Sequence, residues 1–323
     1  MKTNNCYYEI AAMMAPIEKI LQSVPLSIAE NATEIRVRAG KPVIVETLRE
    51  RYICGNRCID INEIYSCVKN FCNYSIHSYQ RELSEGWITL KGGHRAGFTG
   101  TAYNSKDKIS IINDISSLNI RIAKEHKGIS DSLFYSTVCM DNFKGLIIAG
   151  PPLSGKTTLL RDLCRNCGSG FKTVLVDERS EVAAVFKGIP QNDVGINTDI
   201  LNCYSKKAGI EQALRVMSPE VIICDEIGNE IEEMTGLTSG GVKCIFSVHC
   251  RDIKEACHNK AIDTLIKNDV VNYITFADCG KNTGKLKGIW YLENGKGIDS
   301  CNDGNNLLCN RGVDFCIHEN AYA

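Results

Sequence analysis

No apolar run in this chain of 323 residues is long enough to cross a bilayer. A transmembrane helix needs about 18 to 20 consecutive apolar residues, and no segment approaches that length. The first residues, MKTNNCYYEIAAMMAPIEK, also lack the uninterrupted apolar stretch of a signal peptide. We therefore expect a cytoplasmic protein, which would associate with a membrane only peripherally, through partner proteins.

The sequence also lacks an excess of charge of either sign, internal repeats and low-complexity segments. Lysine and arginine number 37 against 38 acidic residues, so the formal net charge is -1. This balance excludes a protein that holds a polyanion by bulk charge, and any contact with nucleic acid would have to be local. The 44% hydrophobic and 23% charged residues exclude a disordered chain, a collagen-like repeat and a coiled-coil rod. The length allows one large domain or two ordinary ones.

Cysteine, in contrast, is abundant. The chain has 17 cysteines, an odd number, in a long sequence without an export signal, which favours free thiols in a reducing compartment. The closest spacings, Cys54-x3-Cys58 and Cys164-x2-Cys167, have no second ligand pair of the kind that structural zinc sites show. We expect most of these cysteines to be small buried hydrophobic residues.

Residues 1–140 have the pattern of a small mixed α/β domain. Apolar and polar residues alternate over 33–46 on both sides of a turn, which predicts a hairpin. A helix follows, with Asn62 as its predicted cap. Residues 86–102 predict two strands around a pair of glycines, and 117–123 alternate as another strand.

Residues 141–295 have a different pattern, in which short apolar runs alternate with longer stretches of helical character. The runs are GLIIAG, TVLVDE, VIICDE and KCIFSVH, at residues 145–150, 173–178, 221–226 and 243–249. Runs that are apolar throughout predict a mostly parallel sheet with helices on both faces. Function in such sheets gathers at the carboxyl ends of the strands. The polar residues there are therefore candidates: Asp177, Glu178, Asp225, Glu226 and His249. Residues 296–323 are predicted to be a loose tail.

The strongest motif lies directly after the first of these runs. Residues 150–158, GPPLSGKTT, match G-x4-G-K-[ST] between a predicted strand and a predicted helix, the context of a phosphate-binding loop. In such a loop, backbone N–H groups surround the β-phosphate, Lys156 neutralises the β- and γ-phosphates, and the Thr157 hydroxyl ligates Mg²⁺. We predict that ATP and Mg²⁺ bind to the residues of this segment: Gly150, Pro151, Pro152, Leu153, Ser154, Gly155, Lys156, Thr157 and Thr158.

Two acids end the third apolar run. Asp225 is predicted to reach the outer shell of the metal. Glu226, one residue later, could polarise an attacking water, the general-base role that separates hydrolysing ATPases from nucleoside kinases. The structural alternative is that either acid only caps the next helix.

Two other strand ends carry candidates, each with a structural alternative. Asp177, Glu178 and Glu181 follow the second run and could position water or metal, although a solvated loop has the same composition. His249 ends the fourth run and could sense the γ-phosphate by hydrogen bonding. A lone histidine is also often only a structural residue.

Several segments resemble, in their linear order, the stage III sporulation protein AA family of endospore-forming bacteria: TEIRVRAGKP, GPPLSGKTTLLRDLCR, VLVDERSE, LRVMSPEVIICDEIG and SVH. This family is related to the hexameric ATPases of type II and type IV secretion. The resemblance covers about residues 30 to 290 and implies a RecA-like P-loop ATPase core after the small α/β domain. It matches Glu181 to the last glutamate of an acidic box, His249 to a histidine box, and Arg121 to arginines that contact nucleotide across a subunit boundary.

The chain departs from that pattern in three places. Leu153 stands where we would expect a glycine in the phosphate loop, at a position that tolerates side chains. Asn197 and Asn229 stand where arginines are expected, which puts a phosphate-sensing or subunit-bridging role of these positions in doubt. The tail, with Cys301, Cys309 and Cys316, matches no known pattern.

The resemblance implies an ATP-hydrolysing motor that works as a ring, expected to be a hexamer, with membrane proteins of a sporulation channel as partners. The principal alternative is a nucleic-acid-binding ATPase whose groove is lined by Arg36, Arg38, Arg95 and Arg121. The near-neutral charge and the lack of an interleaved aromatic series disfavour nucleic acid as a partner. A nucleotide-gated scaffold also remains open, whereas a small-molecule kinase is disfavoured because no acceptor-binding motif is present.

Overall fold

The computed structural model describes residues 6–105, 108–228, 241–280 and 284–292. The chain forms two compact units. The first consists of Met1–Glu125 and Ala184–Asn192, and the second of His126–Ala183 and Asp193–Ala323. Both Asn229 and the predicted tail over 296–323 lie outside the described residues. No helix in the described ranges combines the length and the apolar character that a membrane span requires.

The first unit contains a six-stranded antiparallel sheet with the order β3-β2-β1-β6-β5-β4. Its strands are β1 (Ala32–Arg38), β2 (Ile44–Thr47), β3 (Arg51–Ile53), β4 (Trp87–Thr89), β5 (Arg95–Ser105) and β6 (Lys108–Arg121). The hairpin predicted over 33–46 is confirmed, because β1 pairs with β2 and sets Ile35 opposite Val45. The two strands predicted over 86–102 are confirmed as β4 and β5.

Helices cover one face of this sheet. They are α1 (Cys6–Met13), α2 (Glu18–Gln22), α3 (Leu26–Asn31), α4 (Ile61–Phe71) and α5 (Gln80–Ser84), with 3-10 turns at Ala15–Ile17 and Ile76–Tyr79. Ile35 and Ile120 of the sheet are fully buried in one core with Ile64 of α4. The predicted cap of α4 was wrong by two residues. Asp60 caps this helix in a capping box with Glu63, since the Asp60 carboxylate accepts the N–H of Asn62 at 2.8 Å.

The second unit contains a seven-stranded sheet with the order β13-β12-β7-β11-β10-β8-β9. Its strands are β7 (Gly145–Gly150), β8 (Thr173–Asp177), β9 (Thr198–Asn202), β10 (Val221–Cys224), β11 (Lys243–His249), β12 (Tyr273–Ala277) and β13 (Leu286–Tyr291). All pairs are parallel except β12 with β13. The four predicted strands are confirmed, whereas the sequence pattern did not identify β9, β12 and β13.

In the described part of the second unit, the helices are α6 (Asp131–Ser136), α7 (Lys156–Gly170), α8 (Lys206–Gln212), α9 (Ile253–Cys257) and α10 (Lys260–Lys267), and a π-helical turn spans Ala213–Met217. Cys164 and Cys167 of α7 are fully buried, as are Cys224 and Cys244 of the sheet. Every cysteine in the described ranges is a free thiol, as the sequence predicted.

The segment Ala184–Asn192 belongs to the first unit although its neighbours in sequence belong to the second. It makes a tight turn, in which Phe186 and Ile189 exchange two backbone hydrogen bonds of 2.9 and 3.0 Å. The Gln191 side chain then accepts the N–H of Gly92, in the turn before β5, at 2.8 Å. The chain therefore leaves the second unit to add this short segment, which we call the excursion, to the first unit. No sequence pattern predicted it.

Strand order in the second sheet determines which residues meet at its carboxyl edge. β11 lies between β7 and β10. In the parallel register, Phe246 is opposite Cys224 on one side, and His249 is opposite Gly150 on the other. The residues that follow Cys224 and Gly150 therefore converge on the last residues of β11.

Candidate functional site

The phosphate-loop motif lies where β7 ends and α7 begins. Gly150 is the last residue of β7, and Lys156 is the first residue of α7. The Lys156 ammonium is 6% exposed and donates to the carbonyl oxygens of Gly150 and Pro151, each at 2.8 Å. Its Nζ also lies 3.3 Å from Nδ1 of His249. Burial lowers the pKa of Lys156, and the charges of Asp225 and Glu226 partly offset this effect.

Two features of the loop fit a phosphate group. The Ser154 hydroxyl is buried and has no hydrogen-bond partner among the described residues, so it is available to a ligand. A Cβ at Gly150 would stand 2.5 Å from that hydroxyl, so only glycine leaves room there. Leu153 stands where a glycine is expected, and its backbone is left-handed with φ of 64°, a conformation that is unfavourable for leucine. Its side chain is 92% exposed.

A chain of hydrogen bonds joins Thr157, Asp225 and Ser247. The Thr157 hydroxyl donates to one carboxylate oxygen of Asp225 at 3.0 Å, and the Ser247 hydroxyl donates to the other. Burial raises the pKa of Asp225, these two hydrogen bonds lower it, and the charges of Glu181 and Glu226 raise it again. Asp225 is therefore oriented through both oxygens, beside the hydroxyl that the motif assigns to a metal.

Glu226 lies next to this chain and is held at three points. Its φ of 53 is left-handed, and its N–H donates to Ser247 Oγ at 2.8 Å. One carboxylate oxygen accepts from Arg179 at 2.5 Å, and the other contacts Nε2 of His249. The carboxylate is thus oriented by residues from two neighbouring strand ends.

The acidic residues at the end of β8 and directly after it have different partners and therefore different roles. Asp177 is buried, and its carboxylate accepts the N–H groups of Glu181, Val182 and Ala183 at 2.9, 3.1 and 2.8 Å. Asp177 therefore holds the loop rather than facing a ligand. Glu178 pairs with Lys206 at 2.9 Å. The charge of Glu181 raises the pKa of Asp225, so the two carboxylates are close enough to interact electrostatically.

The structure thus brings five predicted residues together in the second unit: Lys156, Thr157, Asp225, Glu226 and His249. Arg121 lies in the first unit, at the end of β6, where it is exposed and stands in register with Glu34 and Arg95. Asn197 lies before β9, and its backbone bonds to Gly168 and Thr173.

Sequence reasoning missed Arg179 and Ser247. Both lie inside segments that carry candidate residues, but an arginine and a serine at these places give no reason in the sequence to select them. The signal that the sequence offers for Ser247 is its place two residues before His249, near the end of an apolar run. Arg179 had the weaker signal of a cation among acids.

The residues also fit a magnesium ion. No group of three His, Cys, Asp or Glu side chains among the described residues forms a ligand cluster. Mg²⁺ seldom needs such a cluster, since it retains waters and binds through one or two protein oxygens together with substrate phosphates. Thr157 and Asp225 would hold it in that way.

A sequence profile of the family described as "Sporulation stage III, protein AA" matches residues 3–298. The chain belongs to this family. It is 30% identical over 318 residues to the Stage III sporulation protein AA of Bacillus subtilis (strain 168), and the match covers 95% of this chain and 99% of that protein. The resemblance inferred from the motifs is therefore confirmed.

Solved structures similar to this member of the sporulation family include an ATPase and a pilus retraction motor. The ATPase DotB of Legionella pneumophila matches with a TM-score of 0.53 at 14% identity, covering 85% of this chain and 77% of that one. The pilus retraction motor PilT, solved with bound ADP, matches with a TM-score of 0.55 at 16% identity, covering 87% and 85%. These likenesses confirm the predicted fold class, a RecA-like P-loop core preceded by a smaller mixed α/β part.

Proposed function

We propose that this protein hydrolyses ATP to ADP and phosphate at the carboxyl edge of the second sheet. The observation that carries the proposal is the hydrogen-bonded chain from Thr157 through Asp225 and Ser247 to the backbone of Glu226. It connects the predicted metal ligands to the predicted general base, directly beside the phosphate-loop lysine. The family membership and the ATPase fold of the similar structures also support it.

Each residue would contribute a separate part of the reaction. Lys156 would exchange its two carbonyl partners for phosphate oxygens and neutralise their charge. Mg²⁺, held by Thr157 and Asp225, would supply further neutralisation of the phosphates. Glu226 would accept a proton from water as the water oxygen bonds to the γ-phosphorus and the bond to ADP breaks. His249 contacts Lys156 and Glu226, so it would form a hydrogen bond to the γ-phosphate and link that group to the general base.

The protein would work as a homo-oligomeric ring, with six subunits as the expected number. A neighbouring subunit would supply Arg121, whose exposed position on β6 leaves it accessible to a second copy. The ring would drive or gate a channel built by membrane proteins during sporulation, from the cytoplasmic side. The support for these statements is the family's sporulation name and the pilus motor among the similar folds.

The test compares phosphate release, ATP affinity and light-scattering mass for the wild type and Glu226→Gln, each with and without ATP and Mg²⁺. The matched control is Glu211→Gln, at an exposed glutamate of α8. We expect the wild type and the control to release phosphate, and Glu226→Gln to bind ATP without hydrolysing it and to retain a ring of about six subunits. A wild type that neither binds nor cleaves ATP would refute the proposal.

One observation favours the nucleic-acid alternative. The Arg95 guanidinium lies 3.7 Å over the ring of Trp87, a cation and aromatic pair of the kind that contacts single strands. Against it, Arg36 is engaged by Glu34 at 2.8 Å and by Glu46 at 3.5 Å. Stimulation of hydrolysis by single-stranded DNA or RNA, with a steep salt dependence, would establish this alternative.

A further inference from the structure

The chain passes between the two units three times, after Glu125, after Ala183 and after Asn192. At each passage, the residues on the second-unit side are attached to one helix, α7. This helix begins with Lys156 and Thr157 of the phosphate loop. The helix that would bind the nucleotide is thus also the helix that contacts all three connections.

Asp162 fastens the first connection. Its carboxylate is 4% exposed and accepts four hydrogen bonds. The N–H groups of Gly128 and Ser130 donate at 3.1 and 2.9 Å, the Ser130 hydroxyl at 2.8 Å and Arg165 Nε at 2.8 Å. Burial alone would raise the pKa of Asp162, but the hydrogen bonds from Arg165, Ser130 and Gly128 outweigh it and lower the pKa. The connecting segment is therefore held by a charged acceptor in a buried position.

Arg161, the preceding residue of α7, fastens the second connection. Its guanidinium donates from Nη2 to the carbonyl of Glu181 at 2.8 Å and from Nε to the carbonyl of Val182 at 2.9 Å. The N–H of the next residue, Ala183, donates to Asp177 at 2.8 Å. The planar guanidinium holds these two carbonyls through two nitrogens in a fixed geometry, which the shorter, single ammonium of a lysine at this position would not reproduce.

The third connection lies directly against the backbone of α7. Asp193, its first residue in the second unit, pairs with Lys127 of the first connection at 2.8 Å. Gly195 follows with φ of 91, and a Cβ there would stand 2.6 Å from the carbonyl carbon of Gly168 in α7. The Cys164 thiol also donates to the carbonyl of Val194 at 3.7 Å. The absence of a side chain at position 195 is what allows this close approach.

We infer that α7 couples the nucleotide to the first unit, and that Arg161 and Asp162 are the positioning residues of this coupling. Lys156 and Arg161 are five residues apart, about 7.5 Å along one continuous helix. A displacement of the first turn by a phosphate is therefore transmitted to all three connections at once. This inference rests on the proposed function, since it requires ATP at the start of α7.

The test is amide hydrogen exchange of the full chain with and without ATP and Mg²⁺, in a Glu226→Gln background that keeps ATP intact. The 17 cysteines make this label-free method preferable to thiol labelling. Asp162→Asn keeps the shape of the side chain but replaces one accepting oxygen by an NH₂ group, which faces the N–H donors that the carboxylate accepted. Arg161→Lys removes the guanidinium that contacts the two carbonyls. The matched controls are Asp263→Asn, in a pair with Lys267 on α10, and Arg251→Lys, in a pair with Glu255.

In the background protein and the controls, we expect ATP to change the exchange of the excursion Ala184–Asn192. In both coupling variants, ATP affinity should stay within about threefold while this change falls by at least about half. Without nucleotide, the Gly128 and Ser130 amides should exchange about tenfold faster in Asp162→Asn, because each loses a charged acceptor.

Three results would overturn the inference. The first is a full ATP response of the excursion in both variants. The second is a loss of ATP affinity beyond about threefold in both, which would show that the residues support the loop itself. The third is a background protein that binds ATP without any change in the excursion. A background protein that does not bind ATP at all would instead refute the proposed function and the inference together.

Discussion

Arg179 and Glu226 form an ion pair of 2.5 Å between the ends of two neighbouring strands. Arg179 is 62% exposed, whereas the Glu226 carboxylate is 29% exposed and has its second oxygen on His249. An ion pair this accessible contributes little to folding. The ion pair instead orients the Glu226 carboxylate, because it limits the directions in which this proposed general base can point.

Replacing Arg179 by alanine should therefore slow hydrolysis without weakening binding. We expect Arg179→Ala to lower kcat about tenfold, equal to about 1.4 kcal/mol of barrier, with KM for ATP unchanged. Arg179→Lys should recover part of the rate, since it keeps the charge. Steady-state phosphate release measures both parameters, with Arg251→Ala, at a 79% exposed side chain, as the control. A parallel rise in KM would contradict this role.

Ser247 should matter for both stability and rate. Its hydroxyl donates to Asp225 and accepts the N–H of Glu226, so Ser247→Ala leaves two partly buried groups without this partner. We expect a loss of about 1 to 3 kcal/mol in the free energy of unfolding and slower hydrolysis. Urea denaturation measures the first effect. The control Ser169→Ala removes a hydroxyl bonded to a carbonyl on the exposed side of α7 and should change stability by well under about 1 kcal/mol.

Thr157 should set the magnesium requirement. Its hydroxyl lies 3.0 Å from Asp225, and the motif assigns it to the metal. In Thr157→Ala, the Mg²⁺ concentration that gives half of the Mg²⁺-dependent increase in ATP affinity should rise about tenfold or more. The ATP affinity measured in EDTA, without Mg²⁺, should stay the same. Titration of a fluorescent ATP analogue gives both values. Thr264→Ala, on α10, should behave as the wild type, and an equal loss of affinity in EDTA would argue against a metal role.

Leu153 should be a site of stored backbone strain. Its φ of 64 is unfavourable for leucine, and its 92% exposed side chain contributes little packing. Leu153→Gly should raise the free energy of unfolding by about 1 kcal/mol. Leu48 is also 92% exposed but has no left-handed backbone, so Leu48→Gly should give no gain. Stabilisation of both variants alike would show that lost apolar exposure, not strain, is the cause.

His94 should make the first unit sensitive to acid. The ring is fully buried, its Nδ1 accepts the N–H of Ala123 at 3.0 Å, and its Nε2 has no partner among the described residues. Burial lowers the pKa of His94 to about 4 from 6.5. Because the unfolded chain takes up the proton first, the stability present above pH 6.5 should fall as the pH drops toward 4, by up to about 3 kcal/mol.

The measurement for His94 is urea unfolding between pH 7 and pH 4.5 in a Trp290→Phe background, where Trp87 reports on the first unit. His94→Gln should flatten the dependence on pH over this range. His258→Gln, at an exposed histidine after α9, should leave it as steep as before. An equally steep loss of stability in His94→Gln would assign the acid sensitivity to other groups.

Local patterns were sufficient for much of the fold. The fully apolar runs that became β7, β8, β10 and β11 are short and bounded by turns, so each one specifies its own strand. The sequence pattern did not identify β13 because this strand is half-buried or exposed throughout and includes a lysine. β12 is buried throughout, but Thr275 interrupts its apolar run. Asp60, rather than Asn62, caps α4 because its carboxylate accepts the N–H of Asn62 while Glu63 accepts the N–H of Asp60, which satisfies two backbone donors at the start of the helix.

The sequence by itself determined the phosphate loop, because its glycines, lysine and threonine stand in one short segment between a strand and a helix, where their spacing is fixed locally. It also determined that Asp225, Glu226 and His249 end buried strands. Only the tertiary structure decided that these ends meet, since β11 lies between β7 and β10 although it is the last of the three in the chain. Ser247 and Arg179 acquire their contacts from that strand order. The attachment of three connections to α7 likewise depends on packing between segments far apart in sequence, which no local pattern encodes.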